Sequence, residues 1–348
     1  TLNQIKSSRL FTYLSWAMAT DAGGGIVISG FPNPANCSIT RSTISNNTGG
    51  SGGGGIYHSS GTITITDTTL TGNASAGDGG GFYSRIGTAV ISDTTLNNNT
   101  AAGAGGGICS IFSTLNLDDT GISNNTAGEG GGIYSSISTV TITRGTIDSN
   151  ISENRGGGIT SSAFGSLSLV DSTISNNTAT NGAGGGIFNE ADSQLTITGS
   201  VIQDNQAPNG FEPGGGIFTR GAGGNLINSI VSGNHADGAG GGVYIGIAQN
   251  ASLQITDSTI SQNSTTQFGG GGIRNDGTVI VLRTLISDNT AGFGGGGIEN
   301  AGTLFVDDST ISGNGSPSKH LVEGGFSILV RQFSQTLSLI TIHQVLLG

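Results

Sequence analysis

The sequence predicts an all-β protein: one right-handed parallel β-helix of about 11 coils, three short strands in each. Three observations predict it. Glycine fills 65 of 348 positions while charged residues make up 9%, aromatics 5% and proline 5 positions in all, which excludes collagen and disfavours helical bundles. An apolar residue ends a glycine run at Ile26, Ile56, Phe82, Ile108, Ile133, Ile159, Ile187, Ile217, Val243, Ile273 and Ile298, a period of about 27 residues typical of solenoids. A second marker, close to S/T-x-I-S-x-N, recurs at Asn47, Asn73, Asn99, Asn125, Asn150, Asn177, Asn205, Asn234, Asn263, Asn289 and Asn314. Eleven copies of each marker set aside simple disorder, which this Gly, Ser, Thr and Asn content otherwise suggests.

The elements follow in order. Residues 1–22 lack the repeat and form an N-terminal cap or the remnant of a secretory signal: Lys6 and Arg9 precede a short apolar stretch and Ala17-Met18-Ala19. Residues 23–315 hold the coils. In one unit, residues 55–58 are the first strand, residues 62–66 the second, with strict period-two alternation, and residues 68–72 the third, ending before Asn73. Strands so short bury nothing alone; stacked in parallel on the next coil they enclose an Ile/Leu/Val core, and crossover chirality favours the right hand. The loop with Pro208, Phe211, Glu212 and Pro213 is a longer excursion, and Ala248-Gln249-Asn250 lengthens another turn, as solenoids tolerate. Residues 316–348 form a C-terminal cap or tail over an edge that would otherwise stand open.

Charge and cysteine content narrow the function. The net charge is −11, Lys occurs only at Lys6 and Lys319, and no basic run exists, so no nucleic-acid footprint is present. Cys37 and Cys109 make neither a disulfide framework nor a metal motif. No stretch is apolar enough for a transmembrane segment. A monomer is expected.

The pairing of G-G-G-I-Y with I-S-x-N resembles the GGA[I/L/V] and FxxN repeats of the chlamydial polymorphic outer-membrane proteins and, more broadly, bacterial right-handed β-helix proteins displayed at cell surfaces. The resemblance spans roughly residues 23–315. Ile or Leu stands here where those repeats carry Phe before the Asn, and the long C-terminal β-barrel translocator of such adhesins is not legible, which implies a passenger fragment or another route to the surface. The resemblance implies a secreted or cell-surface protein, adhesin-like or structural, with a glycan or surface protein as partner.

Equivalent positions stack into columns, so chemistry is sought down columns. The Asn column reads as a structural amide ladder. The residue after each marker apolar is expected to point outward, and it gathers Tyr57, Tyr83, Tyr134, Phe188, Phe218 and Tyr244, four of the chain's five tyrosines among them. Such aromatics either brace neighbouring strands or form an exposed rail for sugar rings. The slot opening the third strand carries Arg41, Asp67, Asp93, Asp119, Arg144, Asp171, Gly199, Asn228, Asp257, Arg283 and Asp308. Here Arg41 is expected to pair with Asp67, Arg144 with Asp119 and Asp171, and Arg283 with Asp257 and Asp308. The run Asp67, Asp93, Asp119 is a candidate Ca²⁺ site; no other cofactor is implied.

Two alternatives use the same columns. A polysaccharide hydrolase or lyase would rest on Asp93, Asp119 and Arg144, with Asp118 and Asp148 nearby, two carboxylates serving as acid and base. The acidic column, however, continues past any local cleft, and His58 and His235 sit in separate coils. An ice-binding protein would use the outward Thr/Ser array of the third strand, which Gly121, Val201, Ile230 and Leu285 interrupt.

Overall fold

The computed structural model describes residues 23–30, 34–209 and 214–316; the two ends and the Phe211–Pro213 part of the long excursion lie outside them. The chain winds as a parallel β-solenoid of right-handed type with about 11 coils. Three sheets of 11 strands run its length, and every strand pairs in parallel with its counterpart one coil on. Coils are numbered here 1 to 11 by their first strands, from Ile26–Ile28 to Ile298–Asn300.

Coil 2 shows how the sequence makes the shape. Ile56–His58, Gly61–Thr66 and Thr69–Thr71 are its strands, matching the expected segments within a residue or two. A fourth, Ala74–Ser75, was expected to be turn; it belongs to a nine-stranded sheet. Alternation sends Ile56, Ile63, Ile65 and Leu70 inward, each with no exposed surface. The same columns continue in every coil, so the core is one apolar cylinder of stacked Ile, Leu and Val.

Corners are where composition becomes geometry. The slot opening the third strand is left-handed throughout, with φ of 51° at Asp67, 49° at Asp93, 48° at Asn228 and 60° at Gly199. So is the residue before each ladder Asn, for example Asn46, Gly72 and Asn98. Asp, Asn and Gly reach this region at least cost, which explains why the charged column admits glycine and asparagine. In the glycine run, Gly53 has φ of +62°, while a Cβ on Gly54 would lie 2.3 Å from the Ala74 carbonyl oxygen. One glycine serves the turn and the next a close backbone approach.

Two polar ladders thread the buried side of the corners. Each ladder Asn donates from Nδ2 to Oδ1 of the Asn one coil on, from Asn47–Asn73 at 3.0 Å to Asn289–Asn314 at 2.9 Å. The same Oδ1 accepts the preceding Asn's backbone N–H, as Asn99 Oδ1 does from Asn73. The structural reading of that column holds. The other ladder, Ser42, Thr68, Thr94, Thr120, Ser172, Ser200, Ser229, Ser258 and Thr284, is buried at the next position. Its hydroxyls donate to the carbonyl two residues back and accept an N–H from the coil before, as Thr68 does to Thr66 and from Ser42.

Candidate functional site

The aromatic column forms, but much of it is not a surface. Tyr57 and Tyr83 stack with centroids 5.2 Å apart and planes 6° apart, and Phe188 and Phe218 at 4.9 Å and 1°. Phe218 then meets Tyr244 at 5.2 Å. Phe188 and Phe218 have no exposed surface and Tyr83 keeps 9%. The expectation of an exposed rail is therefore corrected at these three positions. The turn between the fourth sheet and the glycine run folds over the outer face of the first strand. Ala183 of that turn packs on Phe188 and Phe218, and a Cβ on Gly52 would lie 3.3 Å from the Tyr83 ring. The guanidinium groups of Arg155 and Arg220 cover the two Phe rings, each 5.0 Å from a centroid.

Tyr57, Tyr134 and Tyr244 are half-buried and keep part of their surface accessible. Tyr134 stands between Cys109 and Thr160, both buried, so the column is two short stacks and one isolated ring. The Tyr244 hydroxyl donates to Asp276 Oδ2 at 2.5 Å, and Arg274 bridges Asp276 at 2.8 Å and Glu299 at 3.6 Å. Burial, reinforced by the Asp276 carboxylate, pushes the Tyr244 phenol up. Burial also lifts the Tyr83 phenol to about 12. Both remain neutral donors at physiological pH.

The acidic column is exposed along Asp67, Asp93 and Asp119. Among the described residues no three His, Cys, Asp or Glu side chains converge to hold a metal ion. Each Asp leaves its own left-handed corner toward solvent. Arg144 takes Asp119 through Nε at 3.0 Å and Asp118 through Nη2 at 2.6 Å, and Arg283 takes Asp257 at 2.7 and 2.8 Å. These hydrogen-bonded pairs hold the Arg144 guanidinium up and the Asp257 carboxyl down. The expected pairs Arg41–Asp67, Arg144–Asp171 and Arg283–Asp308 do not form among the described residues; Arg144 and Arg283 both reach back one coil.

The residues of the hydrolase reading differ in their surroundings. Asp118 and Asp119 share the single Arg144 guanidinium, and Asp93, one coil away, has no ion pair among the described residues. Asp148 lies on the third sheet, where Asn176, Ser175 and Ser149 donate to it; together they outweigh its partial burial and hold its pKa down. A different trio was not legible from the sequence: His235 Nδ1 meets Ser264 Oγ at 2.9 Å and its Nε2 meets Asp237 Oδ1 at 3.3 Å. The backbone N–H groups of Ser264, Thr265 and Thr266 all donate to neighbouring carbonyls. Those three N–H groups are therefore not free to receive a developing oxyanion.

The fold and these columns define a parallel β-solenoid repeat protein. Two of its segments, residues 41–59 and 93–111, match the family model of the Chlamydia polymorphic membrane protein repeat. Each match runs from the left-handed corner opening a third strand, through the ladder Asn and the glycine run, into the next first strand. The chain is thus similar to those repeats at the two corners that recur in every coil. No curated protein and no solved structure matches the chain. Among the described residues no helix is long and apolar enough to cross a membrane.

Proposed function

We propose that the chain is a surface-displayed or outer-membrane-associated repeat rod, adhesin-like or structural, that binds without catalysis. The observation that carries this reading is the match of residues 41–59 and 93–111 to the polymorphic membrane protein repeat. It is supported by the unbroken register of three sheets over the described coils. A site grafted for chemistry would be expected to interrupt such a register. Contact with a glycan or a surface protein falls to the half-buried rings of Tyr57, Tyr134 and Tyr244.

Two measurements test the reading. Protease shaving of intact producing cells is expected to release peptides of the repeats before any cytosolic marker; complete protection of the repeats contradicts display. On glycan and host-surface arrays, Tyr57→Ala with Tyr134→Ala is expected to lower binding at least about tenfold. Undiminished binding by that variant removes Tyr57 and Tyr134 as the contact.

A further inference from the structure

The corner between the first and second sheets departs from the chemistry of the other two. Over four consecutive coils its left-handed residue is Ile86 (φ 56°), Phe112 (φ 52°), Ile137 (φ 51°) and Phe164 (φ 57°). The other left-handed columns hold Asp, Asn and Gly, with Arg, Ser or Gln at a few places. A β-branched or bulky residue in this region is a genuine outlier, and such strain clusters at functional sites. Nor does burial compensate: the four side chains are 58%, 52%, 42% and 73% exposed.

They form one ridge. Ile86 N–H donates to the Ile111 carbonyl, Phe112 N–H to Ser136 and Ile137 N–H to Ala163, so the corners stack coil on coil. Coil 6 carries one extra corner residue, and both Ala163 and Phe164 are left-handed there. The ridge is flanked by Thr114 and Thr139 on one side and Ser136 and Ser162 on the other; Arg85, at one end, is the charged flank.

Order and area together identify what covers it. The ridge alternates Ile, Phe, Ile, Phe along the axis. A second copy placed antiparallel sets Ile86 against the partner's Phe164 and Phe112 against the partner's Ile137, a small side chain facing a large one at every level. An in-register parallel copy would set Phe on Phe. A twofold axis between coils 4 and 5 generates the antiparallel arrangement and makes the patch self-complementary. At roughly 200 Å² for each fully exposed large side chain, the four present on the order of 450 Å². Two ridges with their hydroxyl flanks reach about 1,000 Å², where specific pairing begins. We propose that this ridge is the interface of an antiparallel homodimer, in place of the monomer that the sequence suggests.

Sedimentation velocity over roughly 1 to 300 μM, the range in which an interface of this size dissociates, is expected to show a reversible dimer. The double variant Phe112→Asn, Ile137→Asn is expected to weaken it at least about tenfold with Tm unchanged or raised, since Asn suits the left-handed corner. Under mild oxidation, Ile86→Cys with Phe164→Cys is expected to give a covalent dimer, while Ile86→Cys alone is not, because the two copies of position 86 lie at opposite ends of the interface. A monomer at every concentration overturns the proposal. So does a dimer that the Asn variant leaves intact, equal cross-linking by Ile86→Cys alone, or phosphatidylcholine vesicles taking up the monomer through the ridge without self-association.

Discussion

The amides of the asparagine ladder hold one another coil to coil. Asn150 Oδ1 accepts the backbone N–H of Asn125 at 3.0 Å and its Nδ2 at 2.9 Å, while its own Nδ2 donates to the Ile122 carbonyl and to Asn177 Oδ1. Asn150→Ala strands several of these groups at once. At ~1–3 kcal/mol for each buried orphan, the loss is expected to be ~3 kcal/mol or more, read as a lower urea midpoint. His58 is the opposite case. It is fully buried, its Nδ1 meets Ser84 Oγ at 3.1 Å, and its Nε2 has no hydrogen-bond partner among the described residues. Burial pushes its pKa down, with a backbone hydrogen bond at Ser60 opposing. The unfolded chain therefore takes up a proton near its ordinary value of ~6.5 while the folded chain does not, so stability is complete above that pH and falls as pH drops below it. Between pH about 7.5 and 5.5, wild-type Tm is expected to fall more than that of His58→Ser, which continues the buried serines Ser84 and Ser110. Equal falls would show that His58 does not set this slope.

At the scale of strands and corners, the same residue type carries opposite meanings. A Cβ on Gly131 would lie 2.5 Å from the carbonyl oxygens of Gly157 and Ile151, whereas one on Gly121 meets nothing within 4 Å. Gly131→Ala is expected to cost more than ~2 kcal/mol, because backbone cannot yield as a side chain can. Gly121→Thr, extending the column of Thr95 and Thr146, is expected to gain roughly 0.5–1 kcal/mol by restricting the unfolded chain and favouring strand. Thermal denaturation of the two variants checks both signs. The contrast also marks what the sequence could tell. The strands, the apolar columns and the Asn ladder were legible because each recurs at every coil with one meaning. The fourth strand was not, since two residues are too few to show alternation. Burial of Phe188 and Phe218 was hidden because it depends on a neighbouring turn folding across the first sheet. The ridge was hidden too: Ser136-Ile137-Ser138 reads as alternation in the sequence, and only the positive φ of Ile137 turns it outward.

Taken whole, the molecule is a stack in which each coil answers only to its neighbours, and that has a consequence a globular domain does not share. Ile217 pairs with Ile187 on one side and with Val243 on the other, and Phe218 stacks between Phe188 and Tyr244. Excising residues 217–242 joins Gly216 to Val243, places Val243 on Ile187 and closes the Asn ladder from Asn205 to Asn263. Every column keeps its period, so only one interface between coils is lost. Stability in such arrays is close to a sum over repeats and their contacts. The shortened chain is therefore expected to fold with an unchanged far-ultraviolet signature and a Tm within several degrees of the parent. Excising only residues 217–229 joins Gly216 to Ile230, removes one strand from each of two sheets and leaves the third in place. The core columns then face different partners, and that chain is expected to lose cooperative melting. If the two deletions melt alike, coil register does not govern the stability of the rod.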